Sequence, residues 1–250
     1  MNHDLFESAQ FLLDGAKNDI ERFNAAECTF ADDPAVGNVV REIDQKTGHK
    51  LIKLRITKQP SKELRRLAHH IISDLRHTLD QALFAACQGV LNSTPKSDVY
   101  FPFASHPNDL VHKLKRIPQR LHSVIAGQQP YPTGAGYLGG DDVFRLLGEL
   151  AGKNKHEVAL RLGPNLNAVD IRQVEGAGFM IVPPRFDRSK NEVVLIRIER
   201  GGYANYKLFV PLYISLNYAK AGDVPISALF SMWSTKVEEI LDILRIEAAS

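Results

Sequence analysis

"PSKELRRLAHHIISDLRHTLDQALFAACQGVL", residues 60–91, decides the fold. Pro60 and Ser61 mark a helix start, because proline suits a first turn and a serine hydroxyl can cap it. Beyond them Leu64, Leu67, Ile71, Leu75, Leu79, Ala82, Ala86 and Val90 recur at spacings of three and four, the period of a helix with one apolar face. At 1.5 Å per residue that helix is about 45 Å long. A stripe of this length must be covered by other elements, so the segment is expected to be the spine of the fold.

Polar residues interrupt it in two rows. At about 100° per residue, His69, Ser73, Arg76 and Asp80 border the apolar face, whereas His70, Asp74, His77 and Gln81 line the polar side. Arg76 and Asp80 stand at i, i+4. Exposed, such a pair is worth only a few tenths of a kcal/mol. Covered by another helix, its guanidinium must be paired and hydrogen-bonded, as in an active site or a fold-specifying cluster. His70, Asp74 and His77 offer two imidazoles and a carboxylate, but a solvated face accounts for the same residues, and no metal or cofactor is read from them.

Working outward, residues 4–23 place Leu5, Ala9, Leu12, Leu13, Ala16, Ile20 and Phe23 on one helical face. Two β-rich runs within 38–57 flank Gly48 as a hairpin. Residues 92–142 are irregular: "YFPF" is extended, two short helices are split by Pro118, and Gly and Pro forbid regular structure in "QQPYPTGAGYLGGDD", residues 128–142. Asp141 then caps a helix carrying Val143, Phe144, Leu147, Leu150 and Ala151 that runs into "GKNKHE". Strands are expected at Gly178–Val182, Glu192–Glu199 and Lys207–Leu216. A last helix from Pro225 carries Ile226, Leu229, Trp233, Val237, Ile240, Leu241 and Leu244. The pattern predicts one α+β domain over 1–250, in which about four principal helices form a bundle beside an antiparallel β-sheet. Helices are expected in about 1–23, 60–156 and 225–247, and strands in about 38–57 and 157–217.

Composition narrows the function classes. The chain has 250 residues, 44% hydrophobic and 24% charged, with 31 Lys and Arg against 29 Asp and Glu for a net charge of +2. That balance does not by itself imply nucleic acid or membrane, so any basic site is local. Cys28 and Cys87 show none of the paired spacing of a disulfide framework or thiolate metal site, which points to a reducing, cytoplasmic compartment. "MNHDLFESAQFLL" carries an acid where a signal peptide is positive, and no run approaches the roughly 20 apolar residues of a membrane span. No phosphate-binding glycine loop, HExxH or nucleophile elbow is present.

Two constellations remain. Residues 110–140 hold Lys113, Lys115, Arg116 and Arg120 with no acidic residue and with two tyrosines, the composition of an RNA-binding surface or of a solvated helix face and loop. Lys155 and His156 stand at a helix carboxyl end, where the dipole favours cations for structural reasons alone.

The series "LRHTLDQA", "FPF", "QPY" and "LLGELAGKNKHE" resembles an uncharacterised bacterial protein family. Its members carry Leu-Arg-x-Ala-Leu-Asp-His, Phe-Pro-Ile, Gln-Pro-Tyr and Leu-x-x-Ile-Asp-Lys-His-Arg in that order, matching residues 60–160. Arg76, Asp80, Gln129, Pro130, Tyr131, Lys155 and His156 keep the pattern, while Gln81, Asn154 and Glu157 replace its His, Asp and Arg. The family's Arg-to-His spacing in turn resembles HEPN-type ribonucleases. The resemblance implies Arg76, Asp80, Lys155, His156 and His77 as candidate catalytic groups, with Arg76 acting together with His77 or His156. Gln81 cannot act as acid or base, so a descendant of such an enzyme is expected to be degenerate or to use another histidine. Two readings stand: a binding or interaction module with a structural polar cluster, partnered by a protein or a second copy; and a HEPN-like RNA-binding protein or metal-independent ribonuclease.

Overall fold

The computed structural model describes residues 4–250 apart from 92, 94, 96–98, 155–159, 167–169, 184, 188 and 210. It is α+β. The spine forms as α2, Lys62–Leu91, and Ser61 caps it, its hydroxyl accepting the Leu64 N–H at 3.1 Å. Leu64, Leu67, Ile71, Leu75, Leu79, Ala82 and Ala86 are buried along one face. That face is covered by α1, Glu7–Ala31, and by α6, Ile226–Ala249, both of which pack on α2 and on each other. Where α2 meets the end of α6, a Cβ on Gly89 would lie 2.9 Å from that of Ala248. Only glycine permits so close an approach there. A shorter helix, α5 (Asp142–Asn154), packs on α2 and α6. Two others, α3 (Pro107–Leu114) and α4 (His122–Gly127), sit either side of Pro118.

Helix α1 runs eight residues past the expected end at Phe23. Ala25, Ala26 and Glu27 are good helix formers, and the added turns bury Glu27 and Phe30. Glu27 does more than continue the helix, since its Oε1 accepts the backbone N–H of Ile214 at 2.7 Å.

The strands form two antiparallel groups. In the larger, the hairpin of β1 (Gly37–Ile43) and β2 (Lys50–Ile56) turns at Gly48, φ +71°. It extends through β6 (Glu192–Phe209) to β4 (Asp170–Ile181), with short β5 (Phe186–Asp187) also on β6. In the smaller, β3 (Leu162–Asn165) pairs β7 (Tyr213–Leu216). Both β4 and β6 are longer than expected, because the chain continues through Gly176, Gly178 and Gly201, which sit at positive φ within a bulged ribbon. The run 207–216 is not one strand. Pro211, which has no N–H for a ladder, falls in the gap between β6 and β7. Buried side chains of the sheet, such as Ile52, Leu54, Val193 and Ile196, belong to the same apolar cluster as Leu75 and Trp233. No described helix is long and apolar enough to cross a membrane.

The opposite face of the sheet carries a closed ion network. Lys53 reaches Glu42 and Glu192 at 2.8 Å each, and Arg55 reaches the same carboxylates at 2.5 and 3.0 Å. Hydrogen bonds from Lys53 and Arg55 hold the Glu42 carboxyl below its usual range. In Glu192 burial pulls upward, and the same two cations outweigh it.

Two outcomes follow from this frame. Leu75 is fully buried, so Leu75→Asp places an unpaired charge in the core and should abolish the cooperative thermal transition; an unchanged midpoint contradicts the packing of α2. A carboxyl depressed by folding contributes stability that is full above its unfolded pKa, about 4.3, and is lost as pH falls through the folded value. The thermal midpoint should therefore decline below about pH 5, and Glu192→Gln should flatten that decline while lowering the midpoint at pH 7.

Candidate functional site

Arg76 and Asp80 face one way from α2 onto the segment Phe101–Ala104. Arg76 Nη2 lies 3.0 Å from Asp80 Oδ1, with the two side chains 16% and 10% exposed. The same Oδ1 accepts the backbone N–H of Phe101 at 2.7 Å. The guanidinium carbon stands 5.0 Å from the centroid of the Phe103 ring, a cation–π contact. Burial pushes the Arg76 pKa down and the Asp80 charge opposes it; the group stays protonated at any working pH. Its Nη1 is buried and has no hydrogen-bond partner among the described residues. The Arg76–Asp80 end of the border row is thus covered, by a loop segment where the sequence suggested a helix.

Why that segment needs side chains follows from its backbone. Phe101, Pro102 and Ala104 are buried but belong to no helix or sheet, and buried peptide groups must be paired. Asp80 takes the Phe101 N–H. Lys113 Nζ donates to the Phe103 carbonyl at 2.6 Å, and Arg145 Nε donates to the Ala104 carbonyl at 2.7 Å. The Ala104 N–H goes to the Pro130 carbonyl at 2.8 Å. Phe101, Phe103 and Phe144 stack edge-on or tilted with centroids 4.9–5.8 Å apart. Phe103 lies directly on α5 at Gly148, where a Cβ would come within 2.3 Å of the ring.

The Gln-Pro-Tyr stretch is the next link. Gln129, at φ +50°, accepts the Gly140 N–H through Oε1 at 2.8 Å, which draws in the glycine loop. The Tyr131 carbonyl accepts the Asp141 N–H at 2.8 Å, and Asp141 Oδ1 in turn caps α5 by accepting the Phe144 N–H at 2.8 Å. The short motifs of α2, 101–104, 129–131 and α5 are therefore successive parts of one brace.

The other candidates fall elsewhere. His77 is exposed on the polar side of α2, a quarter-turn from Arg76, and makes no hydrogen bond among the described residues. Near it the Asp74 carboxyl is raised by burial, with His70 and His77 opposing, and His70 approaches Asp19 of α1 at 3.9 Å. Among the described residues no three His, Cys, Asp or Glu side chains gather as a metal-ligand set. Lys155 and His156 lie outside the described residues. Of the basic stretch, Lys113 is engaged as above and also pairs Asp109 at 3.3 Å; Arg120 pairs Glu247 of α6 at 3.6 Å. Lys115 and Arg116 are exposed with no ion pair among the described residues. Sequence reasoning missed Arg145 and Gly148. A glycine inside the α5 pattern was the available signal, because a mid-helix glycine costs stability unless something packs on it. No family model matches the chain, and no curated protein or solved structure matches it either.

The brace predicts an asymmetry. Asp80→Ala leaves both the Phe101 N–H and a largely buried cation unpaired and should cost about 2–4 kcal/mol, somewhat under the full buried-pair penalty because Arg76 keeps some solvent contact. Arg76→Met removes the cation yet leaves Asp80 bonded to Phe101 and should cost less. Urea unfolding of both variants measures the order; equal losses contradict it.

Proposed function

We propose that the chain is a non-catalytic binding or interaction module of a reducing, cytoplasmic compartment, in which Arg76 and Asp80 are structural. One observation carries the reading: both side chains are engaged by the Phe101–Ala104 segment, Asp80 on its backbone and Arg76 on its aromatic ring, and the Arg76 nitrogen without a partner among the described residues, Nη1, is buried. A catalytic arginine must instead present donors to a substrate in a reachable cleft. His77, about 100° around α2 from Arg76 on its exposed polar side, supports the same reading, since it does not share the covered row with Arg76 and a base must come within hydrogen-bond reach of the reacting proton. The free thiols of Cys28 and Cys87 support the compartment. Burial pushes the Cys87 thiol up to about 11, which makes it inert.

The second reading, a HEPN-like RNA-binding protein or degenerate metal-independent ribonuclease, is favoured by exposed Lys115 and Arg116 in a stretch without carboxylates. Incubation with mixed-sequence RNA in chelator tests both. The interaction-module reading expects no cleavage; cleavage lost in His77→Ala and Arg76→Lys, with thermal midpoints maintained, overturns it. For the RNA reading, binding at low salt should weaken and lose salt dependence when Lys115 and Arg116 are both changed to Glu. Absence of binding by the unaltered protein removes that reading.

A further inference from the structure

Helix α6 carries an outward face that no described element covers. Met232, Glu239, Ile243 and Ile246 fall within a sector of about 60° around its axis, and the three apolar members are 52%, 37% and 65% exposed. Beside this row an open groove of about 390 Å³ runs between α6 and the start of α5, lined by Val143, Phe144, Met232 and Trp233 among others. Lys236 borders the groove, its ammonium 5.9 Å from the centroid of the Phe144 ring. The charges elsewhere on α6 are used within the chain: Glu238 pairs Lys17, Asp242 pairs Arg245, and Glu247 meets Arg120. Lys236 and Glu239, the two that flank or interrupt the apolar row, have no ion pair among the described residues.

We propose that this face is a self-association surface on which α6 of a second copy lies antiparallel, making a two-fold dimer. The occupant is selected by charge and register. In a two-fold antiparallel pair, facing residues have numbers with a constant sum. The register that sets Lys236 against Glu239 of the second copy, and Glu239 against its Lys236, also sets Met232 against its Ile243 and Ile243 against its Met232. Both free charges and both apolar residues then find partners twice over. The neighbouring register that pairs Met232 with Ile246 brings Glu239 against itself, and like charges in contact oppose it. This goes beyond the function proposed above and does not rest on it, since self-association requires no other ligand.

The full chain is tested by sedimentation velocity over ~1–100 µM, a range that brackets micromolar dimers. A dimer is expected. Lys236→Glu should raise the dissociation constant about tenfold or more, because it sets like charges together at two symmetric places, and Lys236→Glu combined with Glu239→Lys should restore it. Ile243→Asp should leave only monomer. All these side chains are exposed or half-buried, so thermal midpoints should be retained and loss of dimer is separable from loss of fold. A monomer throughout the range overturns the proposal, as does a dimer indifferent to Lys236→Glu and Ile243→Asp, and failure of the charge exchange to restore affinity overturns the register.

Discussion

The hydrogen bond from Phe101 N–H to Asp80 is the contact by which α2 takes hold of the irregular stretch 92–142. A buried stretch with no strand or helix partner is costly unless every peptide group finds a donor or acceptor. Here α2 supplies a carboxylate, α3 a lysine and α5 an arginine, each to a different peptide group of 101–104. Those three side chains can reach one segment only if the three helices hold fixed relative positions. The constraint therefore works in both directions: the loop is ordered by the helices, and the helices are registered by the loop.

Charge alone would make this arrangement fragile, because an arginine taken out of water gains little from one carboxylate after desolvation. The Phe103 ring changes the balance. It receives Arg76 on its π-system while resting on Gly148, so the ring joins a cation of α2 to the backbone of α5 without needing a hydrogen bond from either. The network on the sheet, Glu42, Lys53, Glu192 and Arg55, solves the same problem differently. Two carboxylates and two cations alternate there, each contacting two partners, and no aromatic is involved.

The helices were legible in the sequence because their signal is periodic and repeated: α2 and its Ser61 cap, the Asp141 cap of α5, and α6 from Pro225 all lie where the apolar spacing puts them. The sheet was legible in kind but not in extent. A strand built through Gly176, Gly178 and Gly201 violates the local rule that glycine ends a strand, and it is sustained by ladder pairing to a distant segment that local sequence does not display. The site was legible as a set of motifs but not as a mechanism. Spacing put Arg76 beside Asp80, yet nothing local could tell that Phe101, some twenty residues on, would take the carboxylate, or that Arg145 and Lys113 would converge on the same segment.

That convergence alters how the acid-free stretch 110–140 should be weighed. Counted from sequence it presents Lys113, Lys115, Arg116 and Arg120 as one cationic run. In the fold, Lys113 is consumed by the Phe103 carbonyl and Asp109, and Arg120 is set against Glu247. Two cations remain to act on an outside ligand. Nucleic-acid affinity grows with the number of phosphates neutralised, each contributing to the salt slope, so a surface with two free cations is a much weaker electrostatic footprint than one with four.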